Sequence, residues 1–158
     1  MSSSDDCIEW QIIDAFINRL KEITIDNGYK YDVKTVDFFP EDLNELSNTE
    51  YFALFIIPQE PDIITQYIAD DIVYSFVILC LDNKTKDDTG ERMNYRYRNI
   101  KSDVTKCLNL PDNTLGSLCS DIKVTNSSCI YDKDMGEACI IMVDVYARID
   151  SKDPYKQA

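Results

Sequence analysis

The sequence predicts an α+β domain, a mainly antiparallel sheet with two amphipathic helices packed on one face. Two stretches, about 5–27 and 88–109, repeat apolar residues at intervals of three and four, the period of a half-buried helix. Blocks of strand length lie between and after them, alternating or continuously apolar. Each helix leads into a hairpin of such blocks, which argues for layers of helix on sheet. No internal repeat or linker divides the 158 residues, so one domain is expected, ordered over about 5–150. The short polar ends at 1–4 and 151–158 are expected to be disordered.

In the first helix Asp6 and Glu9 have the spacing of a capping box. Ile8, Ile12, Phe16, Leu20 and Ile23 form its apolar stripe, widened by Ile13 and Ile17. Asp26-Asn27-Gly28 stops it, with Gly28 as a left-handed cap. A strand over 29–39 follows, in which Tyr29, Tyr31 and Val33 oppose Lys30, Asp32 and Lys34, and Pro40 ends it. Residues 41–49 are polar and read as a turn or short helix. Residues 51–57 are apolar at nearly every position, as in a central strand buried on both faces. Pro58 and Pro61, with Glu60 between them, make a bend. The longest strand is expected over 66–81, where Asp70 and Asp71 predict a bulge or a projecting end.

After the polar loop 82–89, Asp88 and Glu91 offer a second capping box. Met93, Tyr97, Ile100, Val104 and Leu108 supply the second stripe, and Pro111 closes the element. Strands over 119–131 and 137–149 pair through a turn containing Asp134-Met135-Gly136. In the last strand Ile141, Val143, Val145 and Ala147 face one way, and Met142, Asp144, Tyr146 and Arg148 the other.

The chemistry of the side chains narrows the function classes. A net charge of –13 and a pI near 4.3 speak against a nucleic-acid grip, which needs clustered cations. The chain has no histidine, so His-based triads and His-activated cysteines are excluded. Its four glycines form neither a phosphate loop nor a dinucleotide fingerprint. Asp70, Asp71 and Asp144 invite comparison with a metal-dependent nuclease, but adjacent strand residues point to opposite faces. Neither a metal nor another cofactor is expected. Six cysteines, at 7, 80, 107, 119, 129 and 139, include no CxxC and read as reduced, mostly buried thiols. No signal peptide is recognised, and the apolar run 52–57 is too short to span a membrane.

An enzyme is not expected, so attention moves from a pocket to a partner. Arg92, Arg96, Arg98 and Lys101, interleaved with Tyr95 and Tyr97, are the one local basic patch. With the loop residues Lys84, Lys86, Asp87 and Asp88, the Arg92–Arg96 face reads as a protein-contact surface lying off the apolar stripe.

The strand ending at Phe38-Phe39-Pro40, the strand over 51–57 and the long strand over 66–81 come in an order that is informative as a whole. The helix Tyr97-Arg98-Asn99-Ile100-Lys101-Ser102-Asp103-Val104 follows, running to Cys107-Leu108 and Pro111. A last pair of strands ends in Val143-Asp144-Val145-Tyr146-Ala147. Over about 7–150 this order resembles the tail terminator, or tail completion, proteins of lambda-like and related long-tailed bacteriophages. The resemblance is architectural. It implies a structural virion protein at the head–tail junction, assembled in the host cytoplasm as a homo-hexameric ring. Such a ring caps the tail tube, stops its polymerisation and docks to the head connector or stopper protein. DNA passes through the lumen without specific binding, as an acidic surface would allow. The alternatives are another neck or tail-tube protein, or an acidic DNA-mimic inhibitor.

Overall fold

The computed structural model describes residues 5–65, 69–82, 93–132 and 136–158. Among the described residues two helices and six strands follow in the order α1 (Ile8–Leu20), β1 (Thr35–Phe38), β2 (Ala53–Pro58), β3 (Asp62–Thr65) and β4 (Ala69–Leu81), then α2 (Met93–Asn109), β5 (Asp121–Asp132) and β6 (Gly136–Asp150). Short 3-10 turns occupy Ile25–Asn27 and Leu43–Asn48, the second where a turn or short helix was expected.

Helix α1 buries Ile8, Ile12, Ile13, Phe16, Ile17 and Leu20, as their spacing requires. Its capping box does not form: Cys7 is the N-cap without a side-chain bond, and the Ile8 N–H donates to the Pro154 carbonyl. The helix also ends at Leu20 rather than near 27. Thr24 is extended, and its hydroxyl accepts from the Asn27 N–H, which starts a separate 3-10 turn. Gly28, at φ +94°, caps that turn. Ile23 stays fully buried because the connecting turn brings it inward.

The strand expected over 29–39 is a strand only at β1. The buried Asp103 carboxylate of α2 accepts from the N–H groups of Lys30 and Tyr31 at 3.1–3.2 Å. Val33 donates to Ile23, and Lys34 and Thr35 both donate to Phe52. The donors of Lys30, Tyr31 and Val33 are therefore used outside a ladder, which begins only where Thr35 stands beside Ala53, although Tyr31 and Val33 are buried as the alternation predicts.

The sheet is mixed, in the order β1-β2-β4-β6-β5 with β3 also on β4. Among the described residues only β1 and β2 run parallel; the other pairs are antiparallel. Asp70 and Asp71 make no bulge, since they stand in unbroken register opposite Ile149 and Arg148. The irregularity lies on the partner arm. Gln59, Glu60 and Pro61 oppose only Ser75 and Tyr74, so β2 and β3 are one arm with a bulge at the bend. A second irregularity interrupts β5 between Val124 and Asn126.

Side chains from α1, α2 and alternate strand positions form one core, in which Phe16 stacks on Phe76 at 4.4 Å. Tyr97, Ile100, Val104 and Leu108 of the second stripe are fully buried in it. Both helices therefore cover the same face. The reverse face holds a smaller cluster of Ala53, Phe55, Leu81 and Ala138, flanked by Phe39, Leu46 and Tyr51. Strand β2 lies between the two clusters and is buried on both sides, as its composition predicts.

The polar tail over 151–158 lies against the domain. Gln157 bridges Ile149, and its side-chain amide donates to the carbonyls of Ser117 and Leu118 at 2.9 and 3.2 Å. The polar residues of this tail serve as backbone partners for the domain. Residues 1–4 and 66–68, the capping pair Asp88 and Glu91, and the turn residues Asp134 and Met135 lie outside the described residues.

Candidate interaction surface

Of the residues read as a contact surface, Lys84, Lys86, Asp87, Asp88 and Arg92 lie outside the described residues. Arg96 is described, and it does not project as expected. Its guanidinium pairs with the Asp82 carboxylate, the two side chains being 16% and 7% exposed. It also lies 5.1 Å from the Tyr31 ring centroid and 4.8 Å from that of Phe52. The Asp82 N–H donates to the Tyr97 hydroxyl, so residues 96 and 97 together fasten α2 to the end of β4. One helical step from the stripe is close enough for a long cation to fold over aromatic rings. Arg98 keeps an exposed position.

The face of the sheet turned away from the helices presents a different surface. Asp71, Val73 and Ser75 of β4 stand opposite Arg148, Tyr146 and Asp144 of β6. Arg148 pairs with Asp71 at 2.9 Å, the Ser75 hydroxyl donates to Asp144 at 2.8 Å, and Lys123 lies 5.4 Å from the Tyr146 ring. A groove of about 550 Å³ runs along this side, lined by Ile64, Asp71, Val73, Ser120, Tyr146 and Arg148. Asp70 points to the opposite face, so Asp70, Asp71 and Asp144 do not converge. Among the described residues, no group of three or more His, Cys, Asp or Glu is placed to hold a metal ion.

Beside the groove lies β3, whose pairing among the described residues is with β4 alone. Its Ile63 and Ile64 are 56% and 61% exposed. An edge strand with two exposed isoleucines carries none of the usual guards against pairing at those positions. At another edge, Trp10 of α1 stacks on Phe38 of β1 with ring centroids 6.0 Å apart. The arrangement offers backbone donors and acceptors, apolar side chains and exposed ion pairs to a partner. Sequence reasoning missed β3 because two prolines mark the bend before it. The short run Ile63-Ile64-Thr65, β-branched throughout, was the available signal. No described helix is long and apolar enough to cross a membrane. No protein-family model matches the chain, and no curated protein matches it.

Proposed function

We propose that this chain is a ring-forming structural subunit of a long phage tail, the tail terminator that caps the tube and docks the head connector. The observation that carries the reading is the one-sided sheet. Helices cover one face, while the β4–β6 part of the other face and, among the described residues, the β3 edge leave side chains and backbone groups open. A subunit that closes into a ring needs two unlike surfaces, one to give and one to receive, on every copy. The β3 edge and the groove beside it, which share Ile64, form one such surface, and strand addition at β3 is the docking mode we infer for it. The order of elements, resembling that of tail terminators, supports the assignment. The net charge of –13 suits a lumen through which DNA must slide.

Electron microscopy of the protein mixed with its phage's tail tube tests the reading. Six-fold rings seated at one end of tubes of uniform length are the expected result. Tubes that grow without limit and carry no added density at either end would refute it.

A further inference from the structure

Three cysteines from three neighbouring strands stand in one row. Cys80 of β4 is opposite Cys139 of β6, and Cys139 is opposite Cys129 of β5. Residues directly opposite one another point to the same side of a sheet, so the three thiols share the helix-covered face. Cys80 and Cys139 are fully buried, whereas Cys129 is exposed.

The two pairs are not equivalent. The β6 carbonyls of Tyr146 and Arg148 accept from Ser120 and Ala158, and that of Met142 accepts from the Thr125 hydroxyl, all on the β5 side. Even-numbered β6 residues thus turn their backbone groups toward β5. Odd-numbered ones, Cys139 included, turn theirs toward β4. On β4 the Ser75 carbonyl accepts from the Gln59 N–H, so odd-numbered residues there face β2 and Cys80 faces β6. Cys80–Cys139 is therefore the wide, hydrogen-bonded kind of pair. Cys129–Cys139 is the narrow kind, in which Cα atoms approach to about 4.5 Å. That distance falls inside the range of about 4.4–6.8 Å that a disulfide spans, as does the ~5.5 Å of the wide pair, so it is the exposure of Cys129 beside the buried Cys80 that selects between them.

We propose that Cys129 and Cys139 form an oxidative modification site, at which a soluble disulfide oxidant enters at Cys129 and leaves a cross-strand Cys129–Cys139 bond, with Cys80 remaining a thiol. The inference does not depend on the function proposed above. Hydrogen bonds from the Cys80 and Cys129 thiols hold Cys139 below the ordinary thiol range, and Lys101 and Arg98 add to this. Burial pushes the Cys129 thiol up, and its hydrogen bond to Cys139 and then burial push Cys80 up. The buried member of the pair is thus the better thiolate, and the exposed member is the one an oxidant can reach.

In the first step the Cys129 sulfur gives up its proton and attacks one sulfur of the oxidant, forming a mixed disulfide and releasing one thiolate. The Cys139 thiolate then attacks the Cys129 sulfur. The Cys129–Cys139 bond forms, the mixed disulfide breaks, and the second thiolate leaves. The two released thiolates take up the protons given up by the two cysteines. Two protein thiols are oxidised to one disulfide, and one oxidant disulfide is reduced to two thiols.

The test treats the full chain with oxidised glutathione, quenches with acid, alkylates under denaturing conditions and digests with trypsin. Cleavage after Lys133 separates the two cysteines, placing Cys129 in peptide 124–133 and Cys139 in peptide 134–148. The expected product joins these two peptides and leaves four of the six thiols alkylated. Cys139→Ser should stop at the glutathione adduct on Cys129, and Cys129→Ser should leave Cys139 alkylatable. A Cys80–Cys139 linkage, a wild-type protein halted at the Cys129 adduct, or six alkylated thiols would each overturn the proposal.

Discussion

Asp103 is the buried acid that turns a would-be strand into a loop. Its carboxylate accepts the Lys30 N–H through both oxygens and the Tyr31 N–H through one, and it is 7% exposed. Asp103→Ala would strand those donors in a partly dry site, so it should lower stability by about 2–3 kcal/mol. Urea denaturation with an unchanged slope checks this. Arg96 behaves similarly: Arg96→Glu sets a carboxylate against Asp82 and beside two aromatic rings, and should cost about 3 kcal/mol or more. Defective assembly in that variant would then report folding rather than contact. Asp112 gives a pH signature. Hydrogen bonds from the Thr114 hydroxyl and the N–H groups of Gly116 and Thr114 hold it down at about 2, from an ordinary 3.8. A depressed carboxyl stabilises above its unfolded value and stops doing so as pH falls through its folded one. The amide resonances of Thr114 and Gly116 should therefore titrate with a midpoint near pH 2, as NMR would record.

Among the elements, β4 is the spine, paired with β2 and β3 on one side and β6 on the other. Phe76, at its middle, joins the sheet to α1 through its stack on Phe16. Phe76→Ala should cost about 3–5 kcal/mol, measured as a fall in the denaturation midpoint. The stripes on α1 and α2, the apolar block of β2 and the alternation of β6 were legible in the sequence, because each element's burial follows from its own period. The end of α1 and the fate of 29–34 were not. Thr24 leaves the helix to cap a turn, and Asp103 captures two donors from more than seventy positions away. Local pattern carries no information about such a distant acceptor. The same holds for Asp70 and Asp71, which suggested a bulge although the extra residue belongs to the facing arm.

Under the proposed function, another copy would meet the β3 edge and the groove beside it. On the surface first suggested by charge, Arg96 folds inward over the Tyr31 and Phe52 rings, a placement that a sequence does not show. Ile64, exposed on the edge beside the groove, is the better probe. As a surface change, Ile64→Lys should alter monomer stability by no more than about 0.5 kcal/mol. Under the proposed function it should abolish rings, because a buried lysine at a strand-to-strand joint lacks water and a partner. Sedimentation in the presence of tail tube, alongside a thermal melt, separates the two effects.

The stacked pair at the β1 edge equips the protein with its own optical reporter. Trp10 is the only tryptophan in the chain, and it is 40% exposed with one side of its ring toward Phe38. Its indole emission should be that of a half-wetted ring and should respond to an added aqueous quencher. When a second subunit covers the α1–β1 edge, emission should move to shorter wavelength and quenching should fall. If neighbours meet only through β3 and the groove, the signal should stay unchanged while the particles grow. One unlabelled residue thus distinguishes which side of the domain an assembling neighbour occupies.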